Sequence, residues 1–352
     1  MKSAIHQRAI ELGFDDCKFT TAAPVESASY FNQWLEAGRH ADMAYLARTS
    51  AKRVDPQRVL PGARSVICLA VSYAVPDGPK TAGAFPGVVA RYARFADYHK
   101  VLSGPLDELA SYIRCLTGGG TNTIWYVDTG PVIERALAQR AGLGFIGKHT
   151  NLVSQRLGNW FFLAEILTTT ELEPDPPAKN RCGRCNRCIA ACPTGAITAP
   201  FQLDARKCIS YLTIENKGAI PVELRPLIGN RIFGCDECLA ACPWNRFARP
   251  GKLMQPHARP DLTAIDLNHV LSLDQAGFDR LFGNTPIARA KLRGLLRNAC
   301  VALGNVGDTS ALTALERLAL SQDALLAEHA QWASAQIKRR TESGTTPRNP
   351  SY

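Results

Sequence analysis

Apolar positions in the first 175 residues alternate between a helical and a strand-like period. Ser3–Leu12 and Ser27–Arg48 read as helices, the second interrupted at Gly38. Ser65–Val75 (SVICLAVSYAV) is a nearly unbroken β-rich apolar run, which predicts a buried strand. Tyr98–Thr117 predicts a helix ending at Gly118-Gly119-Gly120, and Thr123–Val127 a short strand. Pro131–Ala141 predicts a helix with proline in its first turn, and Trp160–Thr169 a further strand. A Pro-rich linker at 173–177 closes this mixed unit. After Pro243 the pattern turns helical, and residues 285–337 hold amphipathic helices separated by Gly304-Asn305-Val306-Gly307-Asp308. Such a break resembles a HEAT-type turn. The polar tail from Thr341 to Tyr352 reads as disordered. The expected fold class is α+β, divided as 1–175, 176–250, 251–340 and a tail at 341–352.

Composition makes this a soluble globular chain, with 46% hydrophobic and 20% charged residues. No apolar run approaches the ~18–20 residues that span a bilayer. The N-terminus shows neither an apolar signal core nor a twin arginine, so a cytoplasmic address is expected. The net charge of +10 is unevenly spread: residues 179–250 hold 11 Lys/Arg against 5 Asp/Glu, while residues 1–178 hold 18 against 17. That excess can offset the negative charge of thiolate-bound metal, or form a phosphate-binding surface, and the two roles can coexist.

The basic segment is also the cysteine-rich one. Eight of twelve cysteines fall within 61 residues, a density that favours metal ligation over disulfides. Cys182, Cys185, Cys188 and Cys192-Pro193 follow the C-x2-C-x2-C-x3-C-P spacing of double-cluster ferredoxins, in which the fourth cysteine opens a helix and ligates the other cluster. The second run, Cys235, Cys238 and Cys242-Pro243, lacks a first cysteine, and Cys208 is the natural replacement. Crossed ligation then groups Cys182, Cys185, Cys188 and Cys242 on one [4Fe–4S] cluster, and Cys192, Cys208, Cys235 and Cys238 on the other. Paired zinc sites also use C-x2-C, but the Cys-Pro endings fit cubanes better. Cys17, Cys68, Cys115 and Cys300 lack metal spacing and read as core thiols.

Three further motifs are weaker. Gly142-Leu143-Gly144-Phe145-Ile146-Gly147 matches a dinucleotide fingerprint but follows a helix where a strand is required, so it reads as a helix end capped at Gly142 or Gly144. Continued through Lys148-His149, it nearly matches a P-loop, but lacks the hydroxyl that holds magnesium. Asp128-Thr129-Gly130 resembles an aspartic-protease triplet in a single copy. Either Asp128 or Thr129 caps the next helix, or the Asp128 carboxyl donates a proton once burial raises its pKa.

Taken in order, several segments resemble the epoxyqueuosine reductases, cobalamin-dependent enzymes of tRNA queuosine synthesis. They are Ala90-Arg91-Tyr92-Ala93, Asp97-Tyr98-His99, Val127–Arg135, Gly144–Asn151, Gly158–Phe162, Cys208–Glu215 and both cysteine runs. The resemblance implies a nitroreductase-like cobalamin domain, a ferredoxin-like double-cluster module and a HEAT-like C-terminal region. The activity it implies is reduction of the epoxide of epoxyqueuosine in tRNA to queuosine, with Asp128 as proton donor. Corrin contacts are expected at Arg53, Tyr98, Lys148, Asn151, Ser210 and Asp236, with no protein imidazole below the cobalt. For tRNA phosphates the candidates are Lys217, Arg225, Arg231, Lys291, Arg293 and Arg297. An external low-potential electron donor and a monomeric state are expected. The rival readings are a reductive dehalogenase, which usually carries an export signal, and a ferredoxin-type electron carrier, which leaves the first 170 residues without a task.

Overall fold

The computed structural model of the chain describes residues 1–75 and 85–344. Its first unit is built on strand β2 (Ser65–Ser72), every residue of which is buried. β1 (Asp16–Thr21) and β7 (Phe161–Thr168) flank it antiparallel, and β4 (Thr123–Tyr126) pairs with the far side of β7. Because side chains alternate across a strand, the continuous apolar run of β2 serves two cores. Ile67, Leu69 and Val71 pack against α1 (Lys2–Glu11) and α5 (Tyr98–Leu116). Val66, Cys68 and Ala70 face α6 (Glu134–Arg140). Between β1 and β2 lie three short helices, α2 (Ala28–Glu36), α3 (Ala44–Arg48) and α4 (Ser50–Val54).

The helix expected from Pro131 begins instead at Glu134, so proline stands before it. Its Ncap, Ile133, contributes no side-chain cap, and Asp128 therefore does not cap it. Of the two candidate glycines only Gly142 is left-handed, at φ 83°. A two-stranded hairpin follows, β5 (Phe145–Ile146) with β6 (Leu152–Val153).

A second sheet joins segments far apart in sequence. β3 (Pro86–Val89) pairs in parallel with β10 (Arg231–Phe233) and antiparallel with β11 (Ile265–Asp266). Between these strands the cysteine segment holds α7 (Arg187–Ala190), the ribbon of β8 (Ile197–Ala199) and β9 (Gln202–Leu203), α8 (Arg225–Ile228) and, after β10, α9 (Glu237–Ala240). Cys192 follows α7 and a turn, rather than opening a helix. A π-helical turn at Tyr211–Glu215 lies just past Cys208. Cys115 is exposed, unlike the buried Cys17, Cys68 and Cys300.

The C-terminal part packs α10 (Leu267–Leu271), α11 (Gln275–Phe282), α12 (Lys291–Val306), α13 (Leu312–Ala319) and α14 (Ala324–Glu342) around one apolar core. α12 and α14 approach closely at Gly304, where a Cβ would lie 2.4 Å from the Trp332 ring. Within the expected tail, helix α14 runs on to Glu342, and positions 345–352 lie outside the described residues. No described helix is long and apolar enough to cross a membrane.

Burial corrects three of the basic residues expected at a phosphate surface. Arg297, 1% exposed, donates to the carbonyls of Leu212, Asn216 and Gly218 and to Asn298 Oδ1 at 2.7–3.1 Å. Arg225, equally buried, donates to Ile220 O and Glu328. Arg231 is buried as well and donates to Ile228 O and Glu237. These guanidiniums tie the cysteine segment to its surroundings and cannot also reach a phosphate. Arg297→Met should strand three buried carbonyls, each costing about 1–3 kcal/mol, and so lower the urea midpoint strongly. An unchanged midpoint would contradict this structural role.

Candidate active site

Beside β2's α6-facing side the chain leaves a cleft of about 620 Å³. Its walls come from α2, α3 and α4 (Tyr30, Phe31, Trp34, Tyr45, Leu46, Arg53), from the start of α6, and from Phe201, Leu203 and Ala205 of the cysteine segment. Helix α2 is amphipathic yet contributes no buried residue, because its apolar side faces this cleft rather than a core. In sequence such a stripe reads as core, which is why Tyr30, Phe31 and Trp34 escape notice. Trp34 and Tyr30 anchor the wall by donating to Leu203 O (2.6 Å) and Phe201 O (2.5 Å).

Asp128 lines the cleft in a left-handed conformation, φ 58°, that a short polar side chain tolerates better than most. Gly130 permits the tight turn, since a Cβ there would lie 2.3 Å from the Tyr126 ring. The turn aims the carboxylate at the first residues of α5. Tyr98 Oη donates to Asp128 Oδ2 at 2.9 Å, and His99 Nε2 stands 3.8 Å from the same oxygen. Asp97, the Ncap of α5, pairs through Oδ1 with the other nitrogen of that imidazole, Nδ1, at 2.8 Å. The Tyr98 ring is stacked on Phe162 at 4.2 Å between centroids. Sequence reading missed His99, although it stands next to Tyr98 in the quoted motif.

The electrostatics follow from this geometry. The Asp128 side chain is exposed to the open cleft; desolvation by the surrounding walls would raise its pKa, but His99 and Tyr98 hold it below the ordinary carboxylate value. The carboxyl therefore rests ionised, contrary to the expectation that burial raises its pKa. Burial would likewise lower His99, but the Asp128 and Asp97 carboxylates outweigh it and lift the imidazole to about 9. At neutral pH the proton thus resides on His99, one step from the aspartate. Glu134 Oε1 accepts the Asp128 backbone N–H at 2.7 Å and fixes the turn from behind.

The other expected corrin contacts are dispersed. Arg53 lines the cleft and donates to Thr49 Oγ1 at 3.0 Å. Asn151 Oδ1 accepts from Arg135 at 3.2 Å, next to the lining residue Thr150. Lys148 donates to Asn186 Oδ1 at 2.8 Å beside the first cysteine run. Ser210 follows Cys208 by two positions, and the Asp236 carboxylate accepts the Arg91 backbone N–H at 2.5 Å. Lys148, Ser210 and Asp236 are not part of the cleft wall.

The eight cysteines separate into two sets. Cys182, Cys185, Cys188 and Cys242 ring one small cavity, together with His149 and Trp244. Cys192, Cys208 and Cys235 are the thiols whose charge bears on Cys238. A single zinc ion would draw its thiolates to ~2.3 Å of one point. Among the described residues no three His, Cys, Asp or Glu side chains are so arranged. The turn of the β5–β6 hairpin separates the first set from the cleft: Ile146 and Thr150 line the cleft, and His149 borders the thiols.

At the surface, Lys217, Lys291 and Arg293 are exposed. Lys217 feels the charges of Lys291 and of Arg289, a residue that sequence reading passed over. Arg289 is paired with Glu215 at 2.9 Å and is near enough to Tyr45 and Asp128 to sense both. The basic rim thus borders the cleft.

Two sets of cysteine thiols beside a cleft that carries an ionised carboxylate are the arrangement of an iron–sulfur oxidoreductase. Residues 181–245 match the family model "4Fe-4S double cluster binding domain", and residues 53–129 match "Epoxyqueuosine reductase QueG, DUF1730". The chain is 42% identical to the epoxyqueuosine reductase of Xanthomonas campestris, over 94% of this chain and 95% of the relative. The Escherichia coli enzyme is 40% identical, over 96% and 89%. A crystal structure of epoxyqueuosine reductase with an epoxyqueuosine-modified tRNA-Tyr stem loop superposes with a TM-score of 0.87 at 32% identity, covering 97% of this chain and 92% of that one. The Bacillus subtilis enzyme, solved with its aspartate catalytic loop swung out of the active site, gives 0.87 at 31% identity, over 97% and 92%. The chain belongs to the epoxyqueuosine reductase family. It is an oxidoreductase that reduces epoxyqueuosine to queuosine, not a dehalogenase or a simple electron carrier.

The raised His99 pKa carries a stability prediction. The native state holds this proton where the unfolded chain has lost it, so the contribution is full below pH 6.5 and disappears as pH rises through about 9. His99→Gln should flatten the fall in stability across that window, read from urea midpoints at a series of pH values. An identical slope in the variant would refute the pairing with Asp128 and Asp97.

Proposed function

We propose that the cleft receives cobalamin and the modified wobble base of a tRNA, with Asp128 donating the proton to the oxygen released from the epoxide. The observation that carries this reading is the Asp128 carboxylate, held in the cleft by Tyr98 and bordered by thiolates on one side and a basic rim on the other. The division of labour is a nitroreductase-like cobalamin unit at 1–175, a ferredoxin-like module at 176–250 and a HEAT-like, tRNA-contacting region at 251–340. Cys182, Cys185, Cys188 and Cys242 hold one [4Fe–4S] cluster, and Cys192, Cys208, Cys235 and Cys238 the other. The grouping of thiols around one cavity and about Cys238 supports that crossed assignment.

The cleft wall suits a broad macrocycle. Tyr30, Phe31, Trp34 and Tyr45 offer flat apolar surface, and Arg53 offers a donor for amide edges. Cobalamin and the clusters, when bound, supply single-electron delivery and a nucleophilic metal able to open a strained C–O bond. The chain's own part is proton handling and orientation. Tyr98 fixes the Asp128 carboxylate, and the imidazolium of His99, its Nε2 3.8 Å away, holds the first proton in reserve for it. Lys217, Arg289, Lys291 and Arg293 bind tRNA phosphates, a reading supported by the relative solved with a tRNA stem loop. An external low-potential donor feeds the clusters of a cytoplasmic monomer.

Asp128→Asn should keep cluster and cobalamin absorbance but lose about 10²–10⁴-fold in turnover on epoxyqueuosine-containing tRNA. Wild-type turnover in that variant would remove Asp128 from the role. Charge reversal at Lys217 and Lys291 should weaken tRNA binding and reduce the slope of log affinity against log salt by ~0.7–0.9 per lost contact. A slope unaffected by the reversals would place the tRNA elsewhere.

A further inference from the structure

One buried acid has no task in the reaction as described so far. Glu165 lies in the middle of β7, 0% exposed, on the face that packs against α6. Its register neighbours are Cys68 on β2 and Tyr126 on β4. Neither carboxyl oxygen has a hydrogen-bond partner that meets ordinary geometry. The charged group that bears most directly on it is the Glu134 carboxyl at the start of α6. Glu134 in turn lines the cleft and holds the Asp128 N–H at 2.7 Å. A carboxylate buried without a partner is costly enough that it keeps its proton instead.

The remaining groups facing the pair do not neutralise it. Arg135 spends its guanidinium on Thr150 O (2.8 Å) and Asn151 Oδ1. Arg53 is turned to Thr49 and Val132 O. Tyr98 and Cys68 are both raised by burial and stay protonated, and Asp128 adds a second negative charge. Desolvation first pushes Glu134 and Glu165 both above the ordinary carboxylate value, Glu165 the further; the second cause is the Asp128 charge for Glu134 and the Glu134 charge for Glu165. Two like acids in one dry pocket, opening on the cleft through one of them, are the arrangement in which a single proton is held between two carboxyls.

We propose that Glu134 and Glu165 form a proton reserve that reloads Asp128 between the two protonations each turnover requires. The inference rests on Asp128 as donor. Converting an epoxide to an alkene breaks two C–O bonds, forms one C=C bond, and releases the oxygen as water. It consumes two electrons, which the reductase activity supplies, and two protons. A lone aspartate that gives up one proton as the ring opens must regain another before the oxygen leaves. The O–H bond of the pair breaks, and the proton passes to the Asp128 carboxylate and then to the departing oxygen. Uptake of two protons from solvent through the cleft, one by the pair and one by the His99–Asp128 couple, restores the resting state. Glu134 and Glu165 are thus positioning residues that act through Asp128. This need explains a carboxyl that costs stability in the centre of a sheet.

The test uses holoenzyme with both cofactors loaded and two readouts. Wild type at neutral pH should show the infrared carbonyl band of a protonated carboxylic acid, absent from Glu165→Gln and retained in Asp128→Asn. In Glu165→Gln the more basic carboxyl of the pair is gone, and the reserve proton rests on Glu134 alone, which titrates lower, at about 7. The alkaline limb of the kcat–pH profile should then move to lower pH, leaving turnover ~10-fold below wild type on that limb and near wild type in mild acid. Glu165→Leu guards against misfolding: it should fold at least as stably as wild type, because it removes an unpartnered carboxyl, and show the same kinetic shift. Absence of the band in wild type, or an unshifted kcat–pH profile in both folded variants, would overturn the proton reserve. The infrared band is read without substrate, so it separates this failure from a failure of Asp128 as donor.

Discussion

The site depends on one short strand pairing on both of its edges. β3 takes β10 in parallel and β11 antiparallel, and so binds the cysteine segment and the C-terminal helices to the first unit. Just beyond it, Ala90 N–H donates to Phe233 O at 2.8 Å, and the next N–H, that of Arg91, reaches the Asp236 carboxylate. Gly234 makes this approach possible: a Cβ there would stand 2.6 Å from the Ala90 side chain. The second cysteine run is thereby held against the segment leading to Tyr92, Asp97 and Tyr98. With that junction in place, an aspartate from one unit and thiolates from another meet at a common cleft.

Around the cleft the protein separates its charges by burial and by partner. Its buried guanidiniums, Arg225, Arg231 and Arg297, are saturated by carbonyls and acids and serve as internal staples. Its exposed cations remain at the rim, where long-range attraction for a polyanion is still effective. The carboxyls are sorted likewise. Asp128 is kept ionised by a phenol and an imidazolium, whereas Glu165, a few residues of sheet away, is left without either and keeps its proton. Opposite protonation states at close range are the usual means by which one fold runs acid and base steps at one pH.

Much of the element order was legible before any coordinates. The run at 65–75 announced a doubly buried strand because only a central strand needs apolar residues on both faces. The cysteine spacing named the cofactor class, since local geometry alone brings three thiols of a C-x2-C-x2-C loop together. Less legible was anything fixed by a distant partner. The charges of Arg225, Arg231 and Arg297 looked like surface cations, because sequence does not say whether a guanidinium meets water or a ring of carbonyls. Helix α2 was legible as a helix but not as a cleft wall, because sequence does not say whether an apolar side meets a core or a cleft.

By itself, the sequence determined the family, the cluster chemistry and the candidate acid, each of which is encoded in residue type at short spacing. The tertiary structure alone decided which face of each element is wet and what surrounds Asp128. Those properties arise from contacts between residues far apart in sequence, such as Tyr98 with Asp128, 30 positions apart, and Trp34 with Leu203, 169 apart. Protonation follows the same division. A carboxyl's pKa is set by burial and by the charges that reach it, and neither is a property of its own place in the chain.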